Sequence, residues 1–268
     1  MTKTYPLDSS ERERRRLKLQ GDALIPLTER MLDLAGVGPG SRVLELGCGG
    51  GDVTLLLGQR VGRSGSVLAI DSNREQIDYA EARVTEAGLR NVNFAHVDLN
   101  EFNPTERYDA VVGRYILIYM ENPERIVERA SEWVVPGGAM AFLEMNFFRG
   151  VGSTIWPQAS AMTNRAIEFI ADVMLDAGII PHMAARLPSM LARYGGVQTE
   201  TAAPLQFGAS SVELPLEAVR SVIPIAHKLG RVDADYYDVD ALLADELVGR
   251  DHRTVTVPPL SVVASVRL

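Results

Sequence analysis

Cysteine is almost absent from this chain of 268 residues, and so are several patterns that mark secreted, membrane and metal-binding proteins. The one cysteine, Cys48, cannot form an internal disulfide, and no CxxC pair offers a zinc or redox site. No apolar run approaches the roughly 20 residues that span a bilayer, and the charged N-terminal segment lacks the apolar core of a signal peptide. The four histidines are scattered, without HxxxH or HExxH spacing. We therefore expect a cytoplasmic protein without a membrane partner or a metal site.

Positive charge is also scarce. Lys and Arg total 27 against 35 Asp and Glu, which gives a formal net charge of -8. Binding to nucleic acid relies on basic side chains that displace counterions from phosphates. One basic run, residues 12–18, is interrupted by Glu13 and has the spacing of a solvated helix face. Hence we expect no nucleic-acid partner.

The chain does contain a regular alternation of apolar and amphipathic segments. Two helices are predicted first, over 9–20 and 24–35, and the second ends at Gly36, a typical C-cap. After them the pattern predicts strands at 42–47, 66–71, 92–97, 109–114 and 138–145, with helices at 51–60, 73–87 and 122–134. The stretches VVGRYILI (111–118) and VLAI (67–70) are almost entirely apolar instead of alternating, as strands buried on both faces should be. This alternation favours an α/β fold with a parallel sheet between helices.

After residue 146 the composition changes to apolar helices at about 158–177 and 182–195, which we interpret as a cap. A strand-like stretch at 197–207 and a further helical insertion at about 212–249 follow. The alternating segment at 254–268 is typical of an antiparallel edge strand. We predict one domain over 1–268, with an N-terminal helical lid at 1–35, a cofactor-binding core at 36–146 and cap insertions at 147–195 and 210–250.

The most informative segment is RVLELGCGGGDVT, residues 42–54, in which an apolar strand runs directly into a cluster of glycines. Glycine at such a strand–turn–helix junction admits positive φ and a close ligand, because it has no Cβ. A nucleotide-like cofactor is therefore predicted. Dinucleotide-binding folds use GxGxxG, but this chain has Asp52 in place of the third glycine, so a nicotinamide cofactor is disfavoured. An acidic strand residue, Glu45, instead suits a cofactor that brings positive charge to the turn.

In order and spacing, GVGPGSRVLELGCGGGDVT resembles the first motif of class I S-adenosylmethionine-dependent methyltransferases, and the chain as a whole resembles their bacterial small-molecule, secondary-metabolite subset. The resemblance implies a Rossmann-like three-layer sandwich with a mostly parallel seven-stranded sheet, and S-adenosylmethionine as the cofactor. It also implies that Glu45 helps to position the amino-acid end of the cofactor. The glycine turn would lie against the methionine and ribose portions through Gly47, Cys48 and Gly49, with Gly51 completing the set.

Three further motifs extend the resemblance. In VLAIDSN, Asp71 ends the second strand, where a carboxylate accepts hydrogen bonds from the ribose hydroxyls, and Ser72 and Asn73 either join the site or only cap the next helix. In HVDLNEF, Asp98 is similar to the family residue that accepts from the adenine amino group, and Leu99 offers its amide and side chain to the ring. In YDAVVGRYILIYMENP, Arg114 ends the fourth strand, and its carbonyl would face the amino group of the cofactor.

Candidate catalytic and lid residues are fewer. Tyr119 lies where small-molecule methyltransferases often have histidine, but the ordinary pKa of tyrosine, near 10, favours hydrogen bonding or packing over general-base catalysis. His182, beside the apolar cap, is the other candidate base. The segment TYPLDSSERERRRLKLQ resembles one that folds over the cofactor pocket in the bacterial subset, with Tyr5 and Gln20 as candidate contacts. Glu144 closes the fifth strand and either faces the substrate or has a buried structural role.

These features together predict methyl transfer to an oxygen, nitrogen or carbon of a moderately apolar small molecule. Residues 113–116, GRYI, lack the Asn/Asp-Pro-Pro-aromatic tetrad common in methyltransferases of nucleic-acid and protein amide nitrogens. Two alternatives stay open: a non-methylating reaction of the same cofactor, such as a cyclisation or rearrangement, and a non-catalytic cofactor-binding protein. The N-terminal helices are candidates for pairing in a homodimer. The sequence does not identify the acceptor.

Overall fold

The computed structural model describes residues 11–147, 154–248 and 253–268. These residues group into two compact units, which we call the core unit and the helical unit. The core unit comprises Ile25–Met145, Met183–Ala202 and Ser261–Leu268, and the helical unit comprises the described parts of 11–24, 146–182 and 203–260. Most of the predicted cofactor-binding residues lie in the core unit.

Strands and helices alternate up to residue 145, close to the bounds that the sequence predicts. Within the described ranges the strands are β1 (Arg42–Leu46), β2 (Ser66–Asp71), β3 (Val92–His96), β4 (Tyr108–Arg114), β5 (Val134–Met145), β6 (Thr154–Trp156), β7 (Val197–Ala202), β8 (Gln206–Phe207), β9 (Val255–Val257) and β10 (Ser261–Arg267). The helices are α1 (Glu11–Leu34), α2 (Asp52–Val61), α3 (Arg74–Glu86), α4 (Pro123–Glu132), α5 (Ala161–Asp176), α6 (Met183–Leu191), α7 (Ser210–Lys228) and α8 (Val239–Leu247), with 3-10 turns at Leu117–Tyr119 and Val232–Tyr236.

The core unit is built on a seven-stranded sheet in the order β3-β2-β1-β4-β5-β10-β7. Strands β1 to β5 pair in parallel, whereas β10 runs antiparallel to both β5 and β7. The central strands are buried on both faces, as Val43, Leu44 and Val111 illustrate. The predicted mostly parallel sheet with an antiparallel terminal strand is therefore confirmed.

A single helix, α1, replaces the two helices that the sequence predicts over 9–20 and 24–35. Neither Gly21 nor Pro26, which weaken a helix interior, ends it. Burial of the apolar face that includes Leu27 and Met31 offsets their cost. The helix ends at Leu34, and Gly36, the predicted C-cap, follows two residues later with positive φ.

The cap differs from its predicted extent of 147–195. Helix α6 belongs to the core unit, because Met183, Leu187 and Leu191 form a buried stripe that packs against β5 and β10. The predicted strand-like stretch 197–207 splits into β7, in the core unit, and β8, in a small sheet of order β6-β9-β8 in the helical unit. The break falls at Pro204, which has no N–H to donate to a strand partner.

The helical unit has a hydrophobic core of its own. Ile155, Ile167, Leu216 and Val219 are buried in it. Several of the apolar residues that could have lined a cap are thus ordinary core. Among the helices that the structure describes, none is both long and apolar enough to cross a membrane.

Candidate functional site

The glycine turn connects β1 to α2 and is attached to the end of β2. The amides of Gly47 and Cys48 both donate to the carbonyl of Ile70, at 2.9 and 3.0 Å. The Gly49 amide donates to Oδ2 of Asp71 at 2.8 Å. Because β1 and β2 are parallel neighbours, their carboxyl ends meet at one sheet edge, which is where open α/β sheets bind ligands.

The glycines of this turn have different roles. A β-carbon at Gly51 would lie 2.8 Å from Cβ of Ala80, so this residue permits close packing of the turn on α3. Gly49 also has positive φ, but a β-carbon there would meet no atom within 4 Å. The turn therefore presents open space at Gly49 and close protein packing at Gly51.

Asp71 stands beside that open space. Its Oδ1 accepts from the amide of Asn73 at 2.8 Å, and its Oδ2 accepts from Gly49. Burial raises the pKa of this carboxyl above its ordinary value, against the opposing effect of the backbone donors. The backbone of Ser72 also acts on this carboxyl as a donor. A carboxylate has about four acceptor positions, so it keeps acceptor capacity for a ligand hydroxyl. The cap of α3 is Asn73, whose Oδ1 accepts from Glu75 and Gln76, so the capping alternative for Ser72 is wrong.

Glu45 lies behind the turn, almost fully buried, where its Oε2 accepts from Oγ1 of Thr54 at 2.6 Å. Burial raises the pKa of Glu45 to about 7, while the Thr54 hydroxyl and the charge of Arg114 act in the opposite direction. The carboxyl is thus held by α2. Its help in positioning the amino-acid end of a cofactor stays a prediction.

Asp52, the residue that replaces the third glycine of the dinucleotide pattern, bridges two arginines. Its Oδ1 accepts from Nη1 of Arg83 at 2.7 Å, and its Oδ2 lies 3.6 Å from Nη2 of Arg114. Arg83 also donates to the carbonyl of Gly50, and Arg114 donates to Oγ1 of Thr28 at 3.1 Å. These contacts attach the turn to α3 and to the end of β4.

Gln76 is a polar residue of the site that the sequence reasoning missed. It is only 4% exposed, and its Oε1 makes no hydrogen bond within the described residues. That oxygen lies 3.6 Å from where a β-carbon at Gly50 would stand. The sequence signal that could have identified Gln76 is a polar residue one helical turn before Ala80, on the buried face of α3, where a side-chain oxygen needs a hydrogen-bond partner. It gives the turn an unused acceptor.

The side chain of Cys48 does not face the open space. It is 6% exposed and packs in a cluster with Ala69 and Ile77. Burial raises the pKa of the thiol well above its ordinary value. Cys48 contributes to the turn through its backbone, and the thiol serves the core.

Asp98 and Leu99 follow β3 on the same edge of the sheet. Asp98 Oδ1 accepts from the amide of Asn100 at 2.8 Å and so shapes its own turn. Leu99 is buried, and its carbonyl accepts from Nη1 of Arg129 at 2.9 Å. Their contacts with adenine stay a prediction.

The loop after β4 begins with Tyr115, a residue in the left-handed region at φ 54°. Glu144, fully buried at the end of β5, accepts with Oε1 from the amides of Ile116 and Leu117 at 3.0 and 2.8 Å. Burial raises the pKa of Glu144 to about 8, although the backbone donors oppose the shift. Of the two roles considered for Glu144, the structure favours the buried one.

The predicted catalytic and lid residues are not assembled in one unit. Tyr119 lies in the 3-10 turn of the core unit, where its amide donates to the carbonyl of Ile116. His182, an exposed residue with positive φ, and Gln20, which accepts from Arg16, belong to the helical unit. Tyr5 lies outside the described residues. The roles of all four stay predictions.

The open space at Gly49 and the remaining acceptor capacity of Asp71 fit a nucleoside with ribose hydroxyls. Across residues 11–147, 154–248 and 253–268, no group of three or more His, Cys, Asp or Glu residues is arranged to hold a metal ion. A family model described as a methyltransferase domain matches residues 43–138, from β1 into β5. This match supports the resemblance of residues 43–138 to class I S-adenosylmethionine-dependent methyltransferases. It supports S-adenosylmethionine as the cofactor.

Named relatives and solved structures resemble the methyltransferase domain. The aklanonic acid methyltransferase DauC of Streptomyces sp. (strain C5) is 29% identical over 143 residues, which are 53% of this chain and 65% of that protein. The fold resembles that of a coclaurine N-methyltransferase bound to N-methylheliamine and SAH, with TM-score 0.60 and 20% identity over 91% of this chain and 72% of that one. It also resembles the [4+2]-cyclase SpnF, with TM-score 0.54 and 19% identity over 90% and 79%. The chain spans less than two thirds of the length of the curated relatives that it matches.

Proposed function

We propose that this protein transfers a methyl group from S-adenosylmethionine to an oxygen, nitrogen or carbon nucleophile of a moderately apolar small molecule. The observation that carries the proposal is the open space at Gly49 next to Asp71. At that place a nucleoside can approach the backbone while its ribose hydroxyls donate to the remaining acceptor positions of the carboxylate.

The chain's own residues would act mainly by binding and orienting. Asp71 would hold the ribose, Asp98 and Leu99 the adenine, and the carbonyl of Arg114 the amino group. The cofactor supplies an electrophilic methyl group when bound, so a dedicated acid or base is not required. Fixing a nucleophile in line with that group contributes on the order of 7 to 11 kcal/mol. Tyr119 and His182 are the side chains we propose to test for a hydrogen bond or a proton transfer to the acceptor.

Three observations support a small-molecule acceptor over a macromolecule. The net charge of -8 disfavours binding to phosphate backbones. Residues 113–116 have no proline tetrad for planar amide nitrogens. The relatives include proteins whose names describe methylation of aklanonic acid and coclaurine, both small molecules. The identity of this protein's acceptor is not implied by these names.

The fold alone does not separate methyl transfer from another reaction of the same cofactor, because a [4+2]-cyclase shares the fold. The test is incubation with methyl-labelled S-adenosylmethionine and three separate fractions: small molecules, RNA and protein. Label in a low-mass product supports the proposal. Label only in RNA or protein overturns the proposed acceptor class, and cofactor binding with no labelled product favours a non-methylating reaction.

A pair of matched variants makes the assay specific to the site. Asp71→Asn should lose labelled product. In one orientation the new side-chain NH2 group would face the Gly49 amide, which is itself a donor, and in the other it would face the ribose hydroxyls and offer them a poorer acceptor. Asp78→Asn changes a carboxylate on the exposed side of α3, paired with Arg74, and should label product like the wild type.

A further inference from the structure

The loop after β4 is attached to the sheet through a residue that the proposed reaction does not use. Glu144 presents a single oxygen to two successive loop amides, those of Ile116 and Leu117. Its other oxygen, Oε2, is buried and makes no hydrogen bond within the described residues. A buried carboxyl that uses one oxygen is costly. The two hydrogen bonds from the loop amides are what this buried carboxyl gains in return for the cost of its burial.

A second attachment holds the same loop from β10. The hydroxyl of Tyr115 lies 2.9 Å from Oγ of Ser261, and the amide of Tyr115 donates to the carbonyl of Leu143 at 2.8 Å. Tyr115 occupies the left-handed region, which costs a residue with a side chain on the order of 1–3 kcal/mol. Such a conformation persists only where the surroundings determine it, and here the contacts with Ser261 and Leu143 do so.

The position of the loop sets the position of Ile116, and Ile116 lies against the glycine turn. A β-carbon at Gly47 would stand 2.5 Å from Cδ1 of Ile116, and one at Gly113 would stand 2.7 Å from its Cγ2. The side chain therefore occupies the space left by two glycines. A shift of the loop would move this side chain into or away from the turn that holds Gly49.

We propose that Glu144 is a positioning residue of the cofactor site: by fixing the amides of Ile116 and Leu117, it seats Ile116 against Gly47 and thereby sets the shape of the glycine turn. This role rests on the proposed function, since it concerns the same cofactor site. Glu144 does not touch the cofactor in this proposal. It acts through Ile116.

The test measures the affinity for S-adenosylmethionine by calorimetry in E144A, E144Q, I116A and the double variant E144A/I116A. E144A leaves two buried amides without their acceptor and should weaken binding by about 10-fold or more. E144Q keeps an oxygen acceptor and should remain within about 2-fold of wild type. If Glu144 acts through Ile116, E144A should weaken binding by less than about 3-fold in the I116A background.

Met140→Ala controls for a general loss of stability, because Met140 is also fully buried on β5 but does not contact the loop amides. It should lower the melting temperature and leave affinity unchanged. Hydrogen exchange gives a readout that needs no cofactor: the amides of Ile116 and Leu117 should exchange faster in E144A and keep their protection in E144Q. Should E144A fail to fold, E144D, which withdraws the carboxylate from the two amides by one methylene, replaces it in the same cycle.

The outcomes separate the role of Glu144 from the proposed function. Wild-type affinity in E144A, or in E144D where that variant is used, overturns the positioning role. So does full additivity with I116A, or loss of affinity in M140A equal to that in E144A. Absence of cofactor binding by the wild type overturns the proposed function together with this role, whereas binding by the wild type with any of the former results overturns only the role.

Discussion

Gly49→Ala separates the needs of the fold from the needs of the cofactor. A methyl group at Gly49 would meet no protein atom within 4 Å, so the fold has room for it. The cost to the free energy of unfolding should be limited to the left-handed backbone, about 1 to 2 kcal/mol. A cofactor lying against the turn would meet the same methyl group directly. Overpacking of that kind costs about 1–3 kcal/mol of binding free energy, which is roughly a 5- to 150-fold loss of affinity.

Gly88→Ala is the matched control. Gly88 follows α3 in the core unit, has φ +68°, and a β-carbon there would also meet nothing within 4 Å. The two variants should therefore lose similar stability in urea unfolding. In calorimetric titrations with S-adenosylmethionine, only Gly49→Ala should lose affinity. Equal affinity of the two variants would refute the reasoning that the cofactor lies against Gly49.

Three further predictions concern single side chains. Asp71→Asn should bind S-adenosylhomocysteine about 1–3 kcal/mol more weakly than wild type in calorimetric titrations. The variant should also lose less affinity than the wild type does when the ribose 2′-hydroxyl of the ligand is removed. An equal loss in both proteins would remove Asp71 from the ribose site. Cys48 should react with a thiol reagent such as dithionitrobenzoate only when the protein unfolds, because its side chain is 6% exposed and burial raises the pKa of its thiol. Rapid reaction of the native protein would contradict the packing of Cys48 against Ile77. Burial raises the pKa of Glu144 to about 8 in the folded state, whereas the unfolded chain releases the proton near pH 4.5. The free energy of unfolding of the wild type should therefore fall as pH rises through that window, by a few kcal/mol more than that of E144Q. Parallel urea-unfolding profiles of the two proteins from pH 5 to 8.5 would show that Glu144 does not retain the proton.

The sheet could be predicted because its information is local. Runs such as Val67–Ile70 are apolar throughout and end in turn residues, which identifies buried parallel strands without knowledge of their neighbours. The glycine turn and Asp71 were found for the same reason, since each follows a strand directly. Their hydrogen bond, from the Gly49 amide to Asp71 Oδ2, joins the two motifs that the sequence presents separately.

Contacts between distant segments could not be predicted in this way. The bridge from Asp52 to Arg83 and Arg114 depends on where α3 and β4 lie in space, and nothing in the spacing of these residues specifies it. The function of Glu144 likewise depends on amides 27 and 28 positions away. Tertiary burial also overrode local signals in α1, which continues past Gly21 and Pro26.

The most direct test of a methyl-donor site at the glycine turn is a pair of calorimetric titrations of the wild-type protein, one with S-adenosylmethionine and one with NAD. We expect saturable binding of S-adenosylmethionine, because Asp71 keeps acceptor capacity for a ligand hydroxyl. We expect no binding of NAD, because Asp52, which contacts Arg83 and Arg114, replaces the third glycine of the dinucleotide pattern. Binding of NAD without binding of S-adenosylmethionine would contradict the assignment of the site.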